Sequence, residues 1–400
     1  MNKTRTLTLI SGALILFCLG IIYIWSIFNK PVMTYFNNWA DSAFTFNIML
    51  VTFVLGILIG GRIQDKKGPR IVVLIGGILF AAGILLSSII PPSLPWMFAV
   101  CYGGIAGFGV GMAYTSTISC VQKWFPDRRG LASGIMVSAF GVSTVAFGPL
   151  ASAMLTTWSI SLGNTLQILA IAFFAVVIIF VWFIKNPPEG YMADLKPKTN
   201  AAPATKEQFT PSEALRTPQM YFTIICMAML TLSYFIIIPK VAALSTAGKD
   251  FADFAVLTVS LSGVASAVGR LVMPILSDYK GRKFAFMILF IVILASMAAL
   301  IFVTGPICIV LIWAVAFCYG ASAGVFPALT ADYFGPKNMG ANYGLVMIGF
   351  AGAAVLAGSI SSLFISAKAV SNLAFIIPVI ACIVGIIFMV ALKPPVKKAK

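Results

Sequence analysis

The sequence predicts an all-α integral membrane protein with twelve transmembrane helices in two pseudo-symmetric bundles of six. Three observations lead to this fold class: the composition, the series of apolar stretches, and an internal repeat. Hydrophobic types make up 60% of the 400 residues and charged types only 10%, against about 25% charged in an average globular protein. This composition excludes a soluble enzyme, a disordered chain and a disulfide scaffold, so we expect the chain to lie in lipid.

The residue types that are absent restrict the chemistry further. Histidine does not occur in the chain, which removes the commonest metal ligand and the commonest general base. The sequence also has no glycine-rich phosphate loop followed by Lys and Ser or Thr. We therefore expect no enzyme, no catalytic residues, no metal and no cofactor, and transport that is not driven by ATP.

Twelve stretches reach the roughly 20 apolar residues that a helix needs to cross the hydrocarbon core. They fall at 7–29, 42–61, 71–90, 95–118, 130–154, 161–184, 217–239, 253–276, 284–304, 307–330, 339–365 and 370–391, and we call them spans 1 to 12. Span 1 is too long for the apolar region of a secretory signal, so we expect a retained helix. A polar interval rich in Pro and Lys separates two groups of six. The predicted domains are an N-terminal six-helix bundle at 1–185, a cytoplasmic linker at 186–216 and a C-terminal six-helix bundle at 217–400.

The basic residues predict the orientation, because short cytoplasmic loops collect Lys and Arg. With the N-terminus inside, 22 of the 27 cations fall on the cytoplasmic side and four on the other. We expect a multi-pass protein of the cell inner (plasma) membrane with both termini cytoplasmic. The net charge of +16 then faces anionic lipid headgroups, nucleic acid is not implied, and we expect a monomer.

The two halves repeat. The segment GRIQDKKGPR at 61–70 joins spans 2 and 3, and PILSDYKGRK at 274–283 joins spans 8 and 9, with the Asp, the Gly and the terminal cation in register at a shift of 213 residues. Further along, three glycines recur at a shift of 210: Gly130, Gly134 and Gly148 match Gly340, Gly344 and Gly358. Two six-helix halves related by parallel symmetry are known among secondary transporters.

These residues carry a resemblance to a known family. The segment at 61–70 resembles the loop 2–3 motif of the major facilitator superfamily, and 278–283 resembles its second copy. Within that superfamily, several segments resemble the oxalate/formate antiporter family, which is close to the monocarboxylate transporters. These are YIWSIF at 23–28 with Pro31, KWFPDRRGLA at 123–132, NPPEGY at 186–191, LRTPQ at 215–219, and FGPKN at 334–338 followed by NYG at 342–344. The resemblance covers nearly the whole chain and implies the major facilitator fold and an anion carrier.

The 61–70 segment has a physical role that the residues themselves suggest. Asp65 lies where span 2 ends, so it can accept hydrogen bonds from a neighbouring helix N-terminus or pair with a cation such as Arg129. Gly68 permits a tight turn. Such contacts could close the cytoplasmic ends of the helices in one state and release them in another; the alternative is a solvated basic loop. The predicted gating residues are Asp65, Arg70, Arg129, Asp278 and Arg282.

Arg270 is the candidate substrate-binding residue. It lies eight residues before Asp278 in span 8, about 12 Å from the cytoplasmic end of the helix, close to the membrane midplane. A guanidinium at this depth is costly unless it faces a cavity and binds a partner. All eleven acidic residues fall in loops or at span ends, so the neutralising anion is expected to come from the substrate, and the planar fork of arginine suits a carboxylate. The alternatives are snorkelling or hydrogen bonding to backbone carbonyls.

The number of buried cations narrows the predicted cargo. Oxalate carriers that resemble this chain have a second buried cation in helix 11, and the aligned position here is Phe350. A single arginine favours a monoanion such as formate, lactate, pyruvate or acetate. Lys30, at the outer end of span 1, is a candidate second cation near the entrance, or an interfacial lysine that snorkels.

Hydroxyls and indoles would complete a carboxylate site. The resemblance places five such residues in helices that face the cavity of this fold: Tyr23, Tyr114, Tyr234, Trp313 and Tyr319. The alternative for each is an interfacial anchor or a packing residue.

The sequence therefore predicts a secondary carrier of small carboxylates, by proton symport or by anion exchange. The only acids near the outer mouth of span 8 are Asp250 and Asp253, the candidates for proton coupling, about 25 Å from Arg270 along the helix. An alternative within transport is an oxalate:formate antiporter. An alternative of another class is a transceptor that senses a carboxylate without transporting it.

Overall fold

The computed structural model describes residues 3–37, 42–188, 190–191, 207–238, 241, 244–245, 254–365 and 370–396, apart from the side chains at 22, 23, 26, 42, 43, 255, 256 and 362. The chain divides into two compact units. The first comprises Met1–Pro126, Ala139–Leu195 and Pro336–Gly344, and the second Asp127–Ser138, Lys196–Gly335 and Leu345–Lys400. Each unit thus includes a short segment from the other half of the sequence. The predicted domain limits at 185 and 217 stay a prediction.

The described part of the chain is nearly all helical, and eleven of its helices are long and apolar enough to cross a membrane. They correspond to spans 2 to 12: Ser42–Lys67, Pro69–Ser88, Pro95–Trp124, Arg129–Thr156, Leu162–Phe180, Pro218–Ile237, Ala255–Lys280, Arg282–Phe302, Ile307–Phe334, Met339–Phe364 and Leu373–Ala391. Several apolar side chains on these helices are exposed, among them Ile179, Ile291 and Ile387, as expected for surfaces that contact lipid.

Span 1 is the interrupted member of the set. It consists of the helix Lys3–Leu19, a 3₁₀ turn at Gly20–Ile24 and the helix Trp25–Tyr35. A Cβ at Gly20 would collide with the carbonyl oxygen of Phe140 in span 5, so glycine allows the two backbones to touch here. With this span, the fold is the predicted twelve-helix one. Span 4 is also irregular, because a π-helical segment, Ala99–Ala106, separates Pro95–Phe98 from Gly107–Trp124.

The repeated loop motifs form equivalent turns. Gly68 and Gly281 have φ angles of 87° and 97°, a region that glycine enters without steric cost. Pro69 follows the first turn as the first helical residue of span 3, where its missing N–H is not needed. The tight turn predicted at Gly68 is confirmed and recurs at the second copy.

Both described ends of the linker pack against helix ends. Trp124 Nε1 donates to the Lys185 carbonyl at 2.7 Å, and the Tyr191 ring lies edge-on to the Trp124 ring at 4.8 Å. These contacts join the KWFPDRRG and NPPEGY segments. At the far end, buried Phe209 donates its N–H to the Phe334 carbonyl at 2.9 Å.

Candidate functional site

Arg270 is almost fully buried, with 4% of its surface exposed. It lies in span 8, the helix Ala255–Lys280, where Gly269 lets that helix touch span 10: a Cβ at this position would collide with the Phe317 carbonyl. The Nη1 of Arg270 donates to the Val137 carbonyl of span 5 at 3.2 Å. The sequence had offered this kind of backbone contact as an alternative to substrate binding. The guanidinium is thus held among residues of spans 5, 8 and 10. The residues concerned, Val137, Arg270 and Tyr319, all belong to the second unit.

An aromatic cluster lies beside this guanidinium; we use the name for Tyr234, Phe235, Tyr319 and Phe350. The Cζ of Arg270 lies 6.0 Å from the centre of the Tyr319 ring, at the limit of a cation–π contact. The Tyr234 ring stacks on Tyr319 with centroids 3.8 Å apart and planes within 7°. Phe235 contacts both Tyr319 and Phe350, at 5.7 and 5.2 Å. The structure therefore brings three predicted binding residues together, Arg270, Tyr234 and Tyr319.

Phe350 belongs to the aromatic cluster beside Arg270. The sequence aligned it with the second buried cation of oxalate carriers, and its ring is a member of the aromatic cluster. A large apolar side chain stands at this position, buried to 95%. The wall that would carry a positive charge in a dianion carrier is therefore apolar here.

The other predicted residues are described one by one. Trp313 Nε1 donates to the Thr258 carbonyl at 3.1 Å. Trp313 lies six residues before Tyr319 in the same helix, which is about 9 Å along its axis. Tyr114 is buried in the first unit against Phe53 and Phe140. Lys30 is exposed in the helix Trp25–Tyr35. The Tyr23 side chain, Asp250 and Asp253 lie outside the described residues.

The acid of the second loop motif binds the start of span 5. The carboxylate oxygens of Asp278 accept from the backbone N–H groups of Gly130 and Leu131 at 2.9 and 2.8 Å. These residues open the helix Arg129–Thr156, so a negative charge faces the positive end of a helix dipole. Two otherwise unsatisfied helix donors are thereby bonded.

The acid of the first motif makes the equivalent contact. Asp65 accepts from the Ala341 N–H at 2.9 Å, at the start of the helix Met339–Phe364. Gln64 also donates to it, and Lys123 Nζ lies 3.8 Å away. The predicted contact of Asp65 with a neighbouring helix N-terminus is thus observed. We call the two arrangements, Asp65 on span 11 and Asp278 on span 5, the helix-start contacts.

Arg129, which the sequence analysis named as an example of a cation for Asp65, binds a different acid. Arg129 Nη1 binds Asp332 Oδ1 at 2.7 Å, and Arg282 Nε binds the other oxygen of Asp332 at 2.8 Å. Arg282 also pairs with Asp278 at 2.7 Å. Asp332 therefore joins both arginines to the second helix-start contact, and reasoning from sequence missed it. The repeat could have pointed to it: the matching Gly56–Phe108 and Gly269–Phe317 contacts relate spans 4 and 10 by a shift of 209, which places Asp332 in register with Lys123, the cation beside Asp65.

Arg70 has a different role from the other predicted gating residues. Its Nη2 donates to the Trp182 carbonyl at 2.7 Å, and its Cζ lies 5.6 Å from the Trp182 ring. Its repeat partner Lys283 donates to the Val390 carbonyl at 2.6 Å. Each motif's terminal cation thus binds backbone carbonyls at the end of the last span of its own half, where a cation suits the helix dipole.

The described residues contain no group of three or more His, Cys, Asp or Glu side chains that could hold a metal ion. The acids that are described at the helix ends face backbone N–H groups and cations, as the preceding contacts show. The described groups of the candidate site are a buried guanidinium, aromatic rings and hydroxyls.

Known proteins resemble this chain in sequence. The sequence matches the Major Facilitator Superfamily over residues 10–328 and 257–400. It is 30% identical over 360 residues to the uncharacterized MFS-type transporter YhjX of Escherichia coli (strain K12), covering 87% of this chain and 85% of that protein. It is 25% identical to the oxalate:formate antiporter of Oxalobacter formigenes, covering 96% of this chain and 92% of that protein.

A further relative matches part of the chain, and a solved structure resembles its fold. The chain is 38% identical over 104 residues to monocarboxylate transporter 13 of Rattus norvegicus, covering 26% of this chain and 24% of that protein. The fold resembles the crystal structure of the transporter FucP in the outward conformation, with a TM-score of 0.74, 13% identity, and coverage of 98% of this chain and 100% of that chain.

Proposed function

Because the chain belongs to the major facilitator superfamily of transporters, we propose that it is a secondary active carrier of small carboxylates that works by alternating access. The proposed cargo is a monocarboxylate of the lactate, formate, pyruvate or acetate type. The proposed group that binds the carboxylate is Arg270.

The observation that carries this proposal is the buried guanidinium of Arg270 beside the aromatic cluster. A permanent positive charge at this depth of a membrane-spanning helix is unfavourable without an anion, and such residues mark substrate pathways. Arginine can form two parallel hydrogen bonds with a carboxylate. The tyrosine rings supply an apolar surface with hydroxyl groups at the edge, which suits a small organic acid.

The preference for a monoanion is supported by Phe350. One guanidinium matches one carboxylate in charge, whereas a dianion would leave a second buried charge beside an aromatic wall, at a cost of several kcal/mol.

Alternation is proposed to involve the helix-start contacts. Asp65 and Asp278 each bind the first turn of a helix from the other half of the sequence, and these contacts would break when the spans separate on that side. In the same state, Arg129 would pair with Asp332, and Arg282 would pair with both Asp278 and Asp332. Arg70 would bind the end of span 6 to the first loop motif.

Coupling is proposed to be proton symport or anion exchange. Exchange follows if reorienting the empty site, with a bare Arg270, is too unfavourable; symport needs a titratable group such as Asp250 or Asp253, or a proton that travels with the substrate. The proposed location is the inner (plasma) membrane with both termini cytoplasmic, in contact with anionic lipids, as a monomer.

Uptake of labelled acetate, lactate, pyruvate and formate into proteoliposomes tests the proposal. We expect uptake by the wild type and by the control Arg216→Ala, an exposed linker arginine, and loss of uptake, by about 100-fold or more, in Arg270→Ala. Dependence on internal substrate would identify exchange, and dependence on a pH gradient would identify symport. Unchanged uptake in Arg270→Ala refutes the site, and ligand binding without flux would favour the transceptor.

Oxalate:formate exchange is the second candidate. It is favoured by the relation to the Oxalobacter formigenes antiporter over 96% of this chain. Entry of labelled oxalate into formate-loaded proteoliposomes at a rate similar to that of monocarboxylates would replace the monoanion proposal by this one.

A further inference from the structure

Two serine hydroxyls near Arg270 have no hydrogen-bond partner among the described residues. They belong to Ser138 in span 5 and Ser266 in span 8, and each residue is only 4% exposed. A buried hydroxyl without a partner is unfavourable by about 1–3 kcal/mol. Native proteins rarely leave such groups in the interior without a reason.

Other serines in the same helices behave differently. Ser262 donates to the Thr258 carbonyl of its own helix at 2.7 Å, and Ser143 donates to the Phe140 carbonyl at 3.0 Å. Ser133 bonds within its helix and also to the Gly324 carbonyl at 2.7 Å. Donation to the preceding turn is the usual way in which a helical serine is satisfied. Ser138 and Ser266 lack that bond, so their hydroxyls are available for another partner.

The register of spans 5 and 8 places the two hydroxyls at one level. A Cβ at Gly130 would collide with the Pro274 carbonyl, and one at Gly134 would lie 2.8 Å from the Arg270 carbonyl. From the first contact to the second, the residue number rises by four in span 5 and falls by four in span 8. One further turn pairs Ser138 with Ser266.

The guanidinium of Arg270 is directed to the same level. Side chains on a helix lean toward its N-terminus and cover the preceding turn, and Ser266 is one turn before Arg270. The hydrogen bond from Arg270 Nη1 to the Val137 carbonyl, one residue from Ser138, agrees with this direction. By this register, Ser138, Ser266 and the Arg270 guanidinium lie on neighbouring turns of spans 5 and 8.

We propose that Ser138 and Ser266 bind the oxygen on carbon 2 of a 2-hydroxy or 2-oxo monocarboxylate whose carboxylate is held by Arg270. This inference rests on the proposed function and goes beyond it by naming two specificity-determining residues. A serine hydroxyl both donates and accepts, so the pair suits a 2-hydroxyl as well as a 2-oxo group. A carboxylate without that oxygen leaves both serines unpaired, and sites built for a hydrogen bond discriminate against such analogues.

Ligands that differ only at carbon 2 test the inference. Binding of glycolate and acetate, and of pyruvate and propionate, is measured by calorimetry on the full-length protein in nanodiscs, with 3-hydroxypropionate to test the position of the oxygen. We expect the wild type to bind glycolate at least about tenfold more tightly than acetate. Ser138→Ala and Ser266→Ala should each bring this ratio close to one while acetate binding changes by less than about twofold. Ser262→Ala, whose hydroxyl is satisfied within its helix, should keep the ratio of the wild type.

The inference is overturned if wild-type protein does not distinguish glycolate from acetate, if it binds 3-hydroxypropionate as tightly as glycolate, or if the serine variants weaken both ligands of a pair equally. The wild-type comparison needs no variant, and Ser266→Gly and Ser138→Gly replace any alanine variant that does not fold. If carboxylates bind through Arg270 but carbon 2 has no effect, only this inference fails. If binding persists in Arg270→Ala, the proposed function fails with it.

Discussion

At the scale of single residues, the chain is defined by one deeply placed cation and by what surrounds it. Arg270 was found from the sequence because no other charged residue falls in the middle of a span. Its neighbours were only partly foreseen. Tyr234 and Tyr319 were chosen by their helices, yet their stacking joins positions 85 residues apart, and no periodicity within one helix encodes such a contact.

The hydroxyls of Ser138 and Ser266 could not have been singled out from sequence at all. Serine is common in these spans, and several of the described serines bond to their own helix, among them Ser143 and Ser262. Only the geometry shows which hydroxyls lack that bond. The sequence thus pointed to the cation of the proposed site, and the structure pointed to the two hydroxyls that we propose add selectivity.

Phe350 allows a direct test of the charge argument. We predict that Phe350→Lys, which adds a cation to the aromatic cluster, raises oxalate uptake by about tenfold or more relative to acetate uptake, because a dianion then has two positive partners. Labelled oxalate and acetate uptake into proteoliposomes measures the ratio. Phe350→Leu is the control that changes size without charge. A folded Phe350→Lys variant that still excludes oxalate would contradict the prediction.

At the scale of helices, the repeat was the most informative part of the sequence. It predicted turns at equivalent places and an acid able to reach a helix N-terminus, and both occur, at Asp65 and Asp278. The two acids bind matching helix starts. Asp65 and Asp278 are related by the shift of 213 residues between the loop motifs, and the helix starts that they bind are related by the shift of 210. Local sequence sufficed here because the contacts use backbone N–H groups, which every helix start supplies.

The side-chain partners of these contacts did not follow the symmetry. Arg282 corresponds to Pro69 in the first half, and Asp332 corresponds to Lys123. The second helix-start contact is therefore joined to a cluster of two acids and two arginines, whereas the first has Gln64, Ser119 and Lys123 nearby. Arg129 and Asp332 are 203 residues apart, and the repeat gave no second example of the pair.

Asp332 gives the prediction at this scale. We expect Asp332→Asn to lower stability by about 2–3 kcal/mol, because Arg129 loses its described carboxylate partner and Arg282 loses one of two. Adding Arg129→Gln to that variant should restore part of the loss, since fewer buried charges then lack an acid. Thermal unfolding in nanodiscs measures each variant, with the exposed neighbour substitution Arg128→Gln as control. Strictly additive effects would show that the two side chains are not coupled.

At the scale of the whole molecule, composition and the count of apolar stretches were enough to predict twelve spans. Spans 1 and 4 are irregular, and the helix of span 1 breaks at Gly20–Ile24. Hydropathy cannot show such a break, because a 3₁₀ turn is as apolar as the helix around it. Orientation rests on the distribution of Lys and Arg alone.

Orientation can be tested by thiol labelling, because all seven native cysteines are buried. We predict that Ser93→Cys, in the loop between spans 3 and 4, reacts with a membrane-impermeant maleimide in intact cells. Lys67→Cys, at the end of span 2, should react only after the membrane is opened. Both positions are exposed. The wild-type chain is the control for background, and the opposite labelling pattern would reverse the topology.

The division of the chain into units has a consequence for its history. Asp127–Ser138 belongs to the second unit and Pro336–Gly344 to the first, so each helix-start contact joins an acid encoded in one half of the gene to backbone encoded in the other. If the halves arose by duplication, selection could not refine one copy by itself, because a change at the start of span 5 is tested against an acid in the later copy, and a change at span 11 against an acid in the earlier one. The sequence of each copy would then limit which changes the other copy tolerates.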